Sequence, residues 1–295
     1  MAHIQKNGHK KVVIVGMGLI GGSLAMALKK NGMHVYGLDS DGNVLEMARH
    51  KGIESYRFDA QGMADKMAMP HIFADTDIVI LSLPVSGICE AAKIIADFLP
   101  EGAIITDTGS VKKAIVREIE AVLPDGVSFV GGHPMAGSEN SGFEWAREDL
   151  FDGAPYVLTA TAQTDAEALW AMTKLVKAIG AKPVVMSPEE HDKTAAAASH
   201  LPQLISTALV NAVSKKCKKN RLMELAGGGW RDTTRIAGSN AFMWKDVLIY
   251  NRDEILPLIS SFKEQLLLLE AAIESSDGDT IIERFQNARA YKNRG

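Results

Sequence analysis

Apolar and polar positions divide the chain near residue 187. Before it, short apolar runs alternate with stretches of helical period. Val12, Val13, Ile14 and Val15, then "DIVILSLP" (77–84), "AIITD" (103–107) and "VSFVGGH" (127–133), are largely apolar runs with little polar alternation. That pattern predicts strands covered on both faces, as in a parallel sheet. "HVYGLD" predicts another strand ending at Asp39, and "APYVLTA" and "KPVVMS" predict two more around a helix at about 164–179. Leu24, Ala25, Ala27 and Leu28 continue a helix after the first strand, and Asn31-Gly32 ends it. Strands alternating with helices predict an α/β fold of Rossmann type.

From Ser187 the strand pattern stops. "SPEE" reads as a helix start, with Ser187 as N-cap, Pro188 at the first helical position and Glu190 completing a capping box. "TAAAASHLPQLISTALVNAV" continues as a long helix that Pro202 should kink. "DEILPLISSFKEQLLLLEAAIES" (253–275) is apolar on more than one face, which predicts burial. A helical unit of only about 110 residues buries such helices poorly by itself. The expectation is a Rossmann-type unit at 1–187 followed by an all-helical dimerisation domain at 188–295, in a homodimer. Helices packed on the sheet unit of the same chain are the competing arrangement.

A length of 295 residues fits two domains, and a formal charge of −4 gives no reason to expect nucleic acid or an anionic membrane as partner. The basic run Lys215, Lys216, Cys217, Lys218, Lys219 reads as a solvated helix end. Cys89 and Cys217 are far apart and in no C-x-x-C, so they read as free thiols. "MAHIQKNGHKK" lacks the apolar stretch of a signal peptide, and no apolar run reaches membrane-spanning length. A cytoplasmic protein is expected.

The chemistry gathers at the strand ends. Gly16, Gly18 and Gly21 fit G-x-G-x-x-G between a strand and a helix, and Leu19 and Ile20 stand in the first helical turn. Glycines there permit a tight turn and close approach of a pyrophosphate, and the helix N-terminus offers N–H groups to the anion. Asp39, about 20 residues on, suits the ribose hydroxyls of a dinucleotide. A carboxylate there repels a 2′-phosphate, and no arginine follows, so NAD is favoured over NADP. Ser82, Pro84 and Asp107 fall in loops at the same edge, where open α/β sheets bind ligands, and are assigned to the cofactor. No metal is expected.

"FVGGHPMAGSE" (129–139) brings His133 to this edge. Three polar stretches could meet it: "DTGSVK" (107–112), "SHLPQ" (199–203) and "GGGWRDTTRIAGSNAFMW" (227–244). On a helix Ser199 and Gln203 share a face, as do His200 with Gln203 and Asp232 with Arg235. Polar groups of this kind are costly to bury without partners or a polar ligand.

GMGLIGGS, DTGSVK, GGHPMAGSE, SHLP and WRDTTRIA, in that order, resemble the prephenate/arogenate dehydrogenase family of tyrosine biosynthesis. The resemblance implies an NAD-dependent oxidoreductase that oxidises and decarboxylates a cyclohexadienol. Prephenate gives 4-hydroxyphenylpyruvate; arogenate gives tyrosine. It implies His133 as catalytic base and Ser110 as the residue that hydrogen-bonds it. It further implies Arg235 on a substrate carboxylate, His200 and Ser199 in the substrate pocket, Glu139 and Asp232 in an ionic network, and Trp244 as a wall. One position departs. Some members carry a second histidine where this chain has Gln203, which bears on the choice between keto acid and amino acid. On the residues alone, a β-hydroxyacid dehydrogenase and a non-catalytic NAD-responsive regulator remain as alternatives. The former relies on a lysine where this chain has SHLPQ, and the latter needs no His133, Ser110 and Arg235 together.

Overall fold

The computed structural model describes residues 10–58, 69–137, 140–217 and 219–294. Strands β1 (Lys11–Val15), β2 (His34–Asp39), β3 (Glu54–Arg57), β4 (Ile78–Leu81), β5 (Ile104–Asp107), β6 (Ser128–Pro134), β7 (Pro155–Thr159) and β8 (Lys182–Met186) form one sheet, ordered β3-β2-β1-β4-β5-β6-β7-β8. Pairing is parallel from β3 to β6 and between β7 and β8, whereas β6 and β7 run antiparallel, with His133 opposite Val157. Helices α1 (Leu19–Lys30), α2 (Gly42–His50), α3 (Met69–Phe73), α4 (Val85–Ala96), α5 (Lys113–Glu120) and α6 (Ala166–Ala178) connect the strands. The strand order reverses between β1 and β4, which is where doubly wound sheets open a ligand crevice.

The continuous apolar runs have the expected cause. Val12 and Ile14 face a core with Leu24, Leu28, Met172 and Leu175, while Val13 and Val15 face another with Ile88, Ile95, Ile115 and Ile119. Each of these four side chains is covered on its own face. Such burial stabilises by roughly 1.5–3 kcal/mol per large aliphatic residue.

The remaining chain is helical. It comprises α7 (Pro188–Ala195), a π turn at Ala196–His200, α8 (Leu201–Ser214), α9 (Lys219–Leu225), α10 (Gly228–Thr234), a 3₁₀ turn at Arg235–Gly238, α11 (Ala241–Tyr250), α12 (Arg252–Glu274) and α13 (Gly278–Lys292). The Ser187 hydroxyl accepts from the Glu190 amide at 3.1 Å, so Ser187 caps α7 as its sequence predicts. The bend expected at Pro202 takes the form of the π turn just before it. Proline lacks the N–H that would continue the α ladder, and the extra residue absorbs the mismatch. The expectation of burial for α12 fails within one chain. Only Ile255 and Ala272 are buried, while Leu266, Leu267 and Ile273 are more than half exposed. The neighbours of α12 are other helices, whereas α11 packs on α4 and places Val247 in the same core as Val13 and Ile88. Cys89 is buried, Cys217 exposed, and both are free. No helix among the described residues is long and apolar enough to cross a membrane.

Candidate active site

The crevice begins at the glycines. Gly16 has φ +91°, and a side chain there would strike the Ser82 carbonyl. A Cβ on Gly21 would strike the Gly16 carbonyl, so these two glycines let β1, α1 and the β4 end close together. Gly18 has open space beside it and caps α1 without a side-chain hydrogen bond. The amides of Leu19, Ile20 and Gly21 lie in the first turn, where no intrahelical acceptor exists. Asp39 ends β2 with Oδ2 accepting from Met17 N at 2.7 Å and Oδ1 from Asp41 N at 3.0 Å. These bonds fix the carboxylate and leave further lone pairs for hydroxyl donors. Ser82 receives the Thr108 hydroxyl at 3.2 Å, and Pro84 caps α4. Residues fit for an anionic dinucleotide therefore surround an open cradle.

Asp107 departs from its expected place with the cofactor. Its carboxylate is fully buried and turned inward, accepting from Gly109 N at 2.8 Å, from Gly132 N at 3.0 Å and from the Lys112 ammonium. The physical reason is Lys112, itself fully buried, whose charge needs a partner. Burial holds the Lys112 amine below its usual range, against the pull of Asp107. The pair pins the β5 end to the Gly132 backbone, one residue before His133.

His133 sits at the end of β6 with its ring partly buried. Its Nδ1 lies 2.8 Å from His191 Nε2, and the two rings meet edge on at 5.0 Å. Ser110, expected as its hydrogen-bond partner, is partly buried nearby in sequence but makes no hydrogen bond to it; His191 holds that position instead. His191 Nδ1 in turn lies 2.8 Å from Asp192 Oδ1. Asp192 also accepts from Lys112 N at 2.7 Å and Lys113 N at 2.9 Å, capping α5 from another element. Burial, then the neighbouring His191, Lys112 and His200, hold His133 well below the ordinary histidine pKa. It is a neutral ring near neutrality.

His200 ends the π turn, fully buried, with Nδ1 3.1 Å from the Asn251 amide, which also donates to the Asp192 carbonyl at 2.9 Å. An amide donor on Nδ1 leaves the proton on Nε2, so His200 is a neutral hydrogen-bond donor. Burial, partly opposed by Asp192, lowers its pKa to about 4. Trp244 on α11 packs edge on against this ring at 5.8 Å, and its buried indole N–H has no partner among the described residues. Next to it Asp246 accepts from the Ser86 hydroxyl at 2.6 Å, fastening α11 to the start of α4. Gln203 on α8 is buried and donates Nε2 to the Ile236 carbonyl at 2.9 Å, which ties α8 to the 3₁₀ turn that Arg235 opens. Ser199 is partly buried within the π turn; Asp232 and Arg235 are exposed. Glu139 lies outside the described residues.

Family models match two consecutive segments: the prephenate dehydrogenase nucleotide-binding domain at residues 24–185 and the prephenate dehydrogenase dimerization domain at residues 187–287. The chain belongs to the prephenate dehydrogenase family. It is 35% identical to the prephenate dehydrogenase of Bacillus subtilis over 95% of this chain and 75% of that protein. It is 34% identical to the cyclohexadienyl dehydrogenase of Zymomonas mobilis, over 95% of this chain and 94% of that protein. Prephenate dehydrogenase from Aquifex aeolicus, solved in complex with hydroxyphenyl propionate and NAD+, superposes with a TM-score of 0.85 at 32% identity, over 98% of this chain and 99% of that one.

Three residues without a sequence signal join His133 and His200 in the candidate site: His191, Asp192 and Asn251. "SPEEHDK" reads as a helix start, and its last polar residues carry no pattern that separates a catalytic neighbour from a solvated face. The available signal was the burial that "HD" undergoes one turn into a capped helix, which only the packing of α7 on α5 reveals.

Proposed function

We propose that the chain uses NAD to convert prephenate to 4-hydroxyphenylpyruvate, and that it works as a homodimer. The single observation that carries the reading is His133: a neutral ring at the carboxyl edge of the sheet, beside the glycine cradle. Its Nδ1 is engaged, and its Nε2 has no protein partner among the described residues. The names of the Bacillus subtilis and Aquifex aeolicus proteins support the substrate and the cofactor.

The α1 amides would hold the pyrophosphate and Asp39 the adenosine ribose, with Ser82 and Pro84 flanking the cradle. Bound NAD supplies the hydride acceptor. His133 Nε2 takes the proton from the substrate hydroxyl as hydride leaves the same carbon, which becomes a ring carbonyl. The bond to the ring carboxylate then breaks, its electron pair enters the ring, and CO₂ leaves. The phenolate oxygen recovers a proton from His133, so the enzyme ends as it began. Charge balances without release of a proton. His200 donates Nε2–H within the substrate pocket, where Ser199 adds a hydroxyl and Trp244 a wall. Arg235 grips a substrate carboxylate through its planar fork, with Asp232 and Glu139 in its ionic setting. Gln203 faces the substrate side chain.

We place the boundary between the two units at Ser187. The exposed apolar faces of α12 and α13, including Leu267 (61% exposed) and Phe285 (67%), meet a second copy in this reading. The test is incubation with prephenate or arogenate and with NAD or NADP, following reduced-nicotinamide absorbance. Turnover with NAD at least tenfold more efficient than with NADP is expected from Asp39, about 1.4 kcal/mol of discrimination. No turnover with either cyclohexadienol would overturn the proposal.

A further inference from the structure

We infer that His191 and Asp192 are positioning residues for His133, forming a hydrogen-bonded chain that fixes which ring nitrogen of His133 is basic and receives part of the charge when it takes a proton. The inference rests on the reading of His133 as base.

The protonation pattern follows from donors and acceptors. A carboxylate oxygen only accepts, so the 2.8 Å contact to Asp192 places the His191 proton on Nδ1. In the neutral His191 ring Nε2 then carries a lone pair. The 2.8 Å contact between the rings therefore requires the His133 proton on Nδ1. His133 Nε2 is left as the bare lone pair, which is the form a base needs. Without this chain a neutral histidine could hold its proton on either nitrogen.

The same chain handles the charge. When Nε2 of His133 takes a proton, the ring becomes a cation beside Lys112, His200 and His191, all of which oppose it. The groups around the pair are Lys112 and Asp107 from the β5–α5 region, His200 from the π turn, Asn251 before α12, and Asp192 on α7. Lys112 and Asp107 compensate each other. Asp192 is the carboxylate aimed at the histidine pair. Transfer of the Nδ1 proton from His133 to His191 Nε2 places the cation against Asp192 and leaves His133 neutral with Nε2–H. That form returns the proton to the phenolate, and the Nδ1 proton moves back. No group beyond these three is consumed or oxidised.

Asp192 also has a purely structural task as the cap of α5, so loss of activity alone would not separate the roles. Two variants and two readouts do. In Asp192→Asn the amide can donate to His191 Nδ1, which would reverse the hydrogen-bond direction and put the His133 proton on Nε2. In a serine-protease triad the corresponding reversal costs ~10⁴ in kcat. Asp192→Asn should lower kcat by roughly 10²–10⁴ with KM within a few-fold, if the altered tautomer is the cause. Long-range ¹H–¹⁵N spectra of the protein without ligands should show His133 as the Nδ1–H form in wild type and the Nε2–H form in the variant. His191→Asn leaves the α5 cap intact and should lower kcat at least tenfold, while the thermal midpoint and NAD affinity stay near wild type. It decides the matter should Asp192→Asn fail to fold.

An Nε2–H tautomer in wild type overturns the inference, as does His191→Asn with wild-type kcat. His133→Asn, assayed in parallel, keeps the two readings apart. If that variant is active, the base assignment falls. If it is inactive while His191→Asn is not, only the positioning inference falls.

Discussion

The two halves of this chain are about equally rich in aliphatic runs, yet they dispose of them in opposite ways. In the sheet unit Ile14, Ile80 and Leu28 are wholly covered by their own chain. In the helical unit Leu266, Leu267 and Ile273 line the longest helix and stand open. Hydrophobicity in a sequence states that a surface wants cover and is silent about which chain supplies it. A strand buried on both faces meets that demand through helices from adjacent stretches of the same chain. A bundle whose α12 is apolar on several sides has no such layer. The proposed site spans this divide: the cradle and His133 belong to the self-sufficient half, and His191, His200, Gln203 and Arg235 to the half with open faces.

The strongest test of that division is His133→Asn. It should retain NAD affinity, a property of the sheet unit, and lower kcat by roughly 10²–10⁴. The pH profile sharpens it. As the proposed base His133 works when neutral, and its pKa lies below the ordinary histidine value, so activity should fall with falling pH only beneath the usual histidine range. A variant within a few-fold of wild type would remove His133 from the chemistry. Stability has its own dependence through His200. Its folded pKa of about 4 lies below the ordinary 6.5. The unfolded chain therefore binds more protons in that window, and stability should decline as pH drops from 6.5 toward 4.

Next come the contrasting truncations. Ile80→Ala, in the covered core, should cost about 2–5 kcal/mol of unfolding free energy. Replacing Leu267 and Phe285 by lysine should instead dissociate the proposed dimer, read by sedimentation across a dilution series. If wild type sediments as a monomer at every concentration, the open faces need another explanation.

Much of this was legible in the sequence, and the exceptions have causes. The strands, the glycine cradle, Asp39 and the α7 cap follow from local pattern, because apolar period and backbone demands are local. The antiparallel entry of β7 was not legible, since an apolar run has no direction. The inward turn of Asp107 was missed because its reason, Lys112, looks like any surface lysine until the β5 end closes over it. His191 lies 58 residues beyond His133, and nothing in "SPEEHDK" announces the meeting.

A smaller effect belongs to Arg235, on the helical side. Arg235→Gln should chiefly raise KM for the cyclohexadienol, through loss of a charge-assisted pair of about 1.5–3 kcal/mol. NAD affinity should stay unchanged. If KM for the cyclohexadienol does not move, the arginine is structural.

The smallest expected effect lies at Gln203, where the chain departs from relatives with a second histidine. Its amide nitrogen donates to the Ile236 carbonyl at 2.9 Å, which leaves Oε1 without a donor among the described residues. An acceptor suits the ammonium of arogenate, while the second amide hydrogen can still serve the keto oxygen of prephenate. Both substrates should therefore be used, with kcat/KM differing by no more than about tenfold, or ~1.4 kcal/mol. A histidine there can be protonated and repels an ammonium. Gln203→His should move the ratio of kcat/KM values toward prephenate. Paired steady-state assays on wild type and variant decide it. Rejection of arogenate by a thousandfold in wild type, or a shift of the variant toward arogenate, would show that another residue reads the side chain.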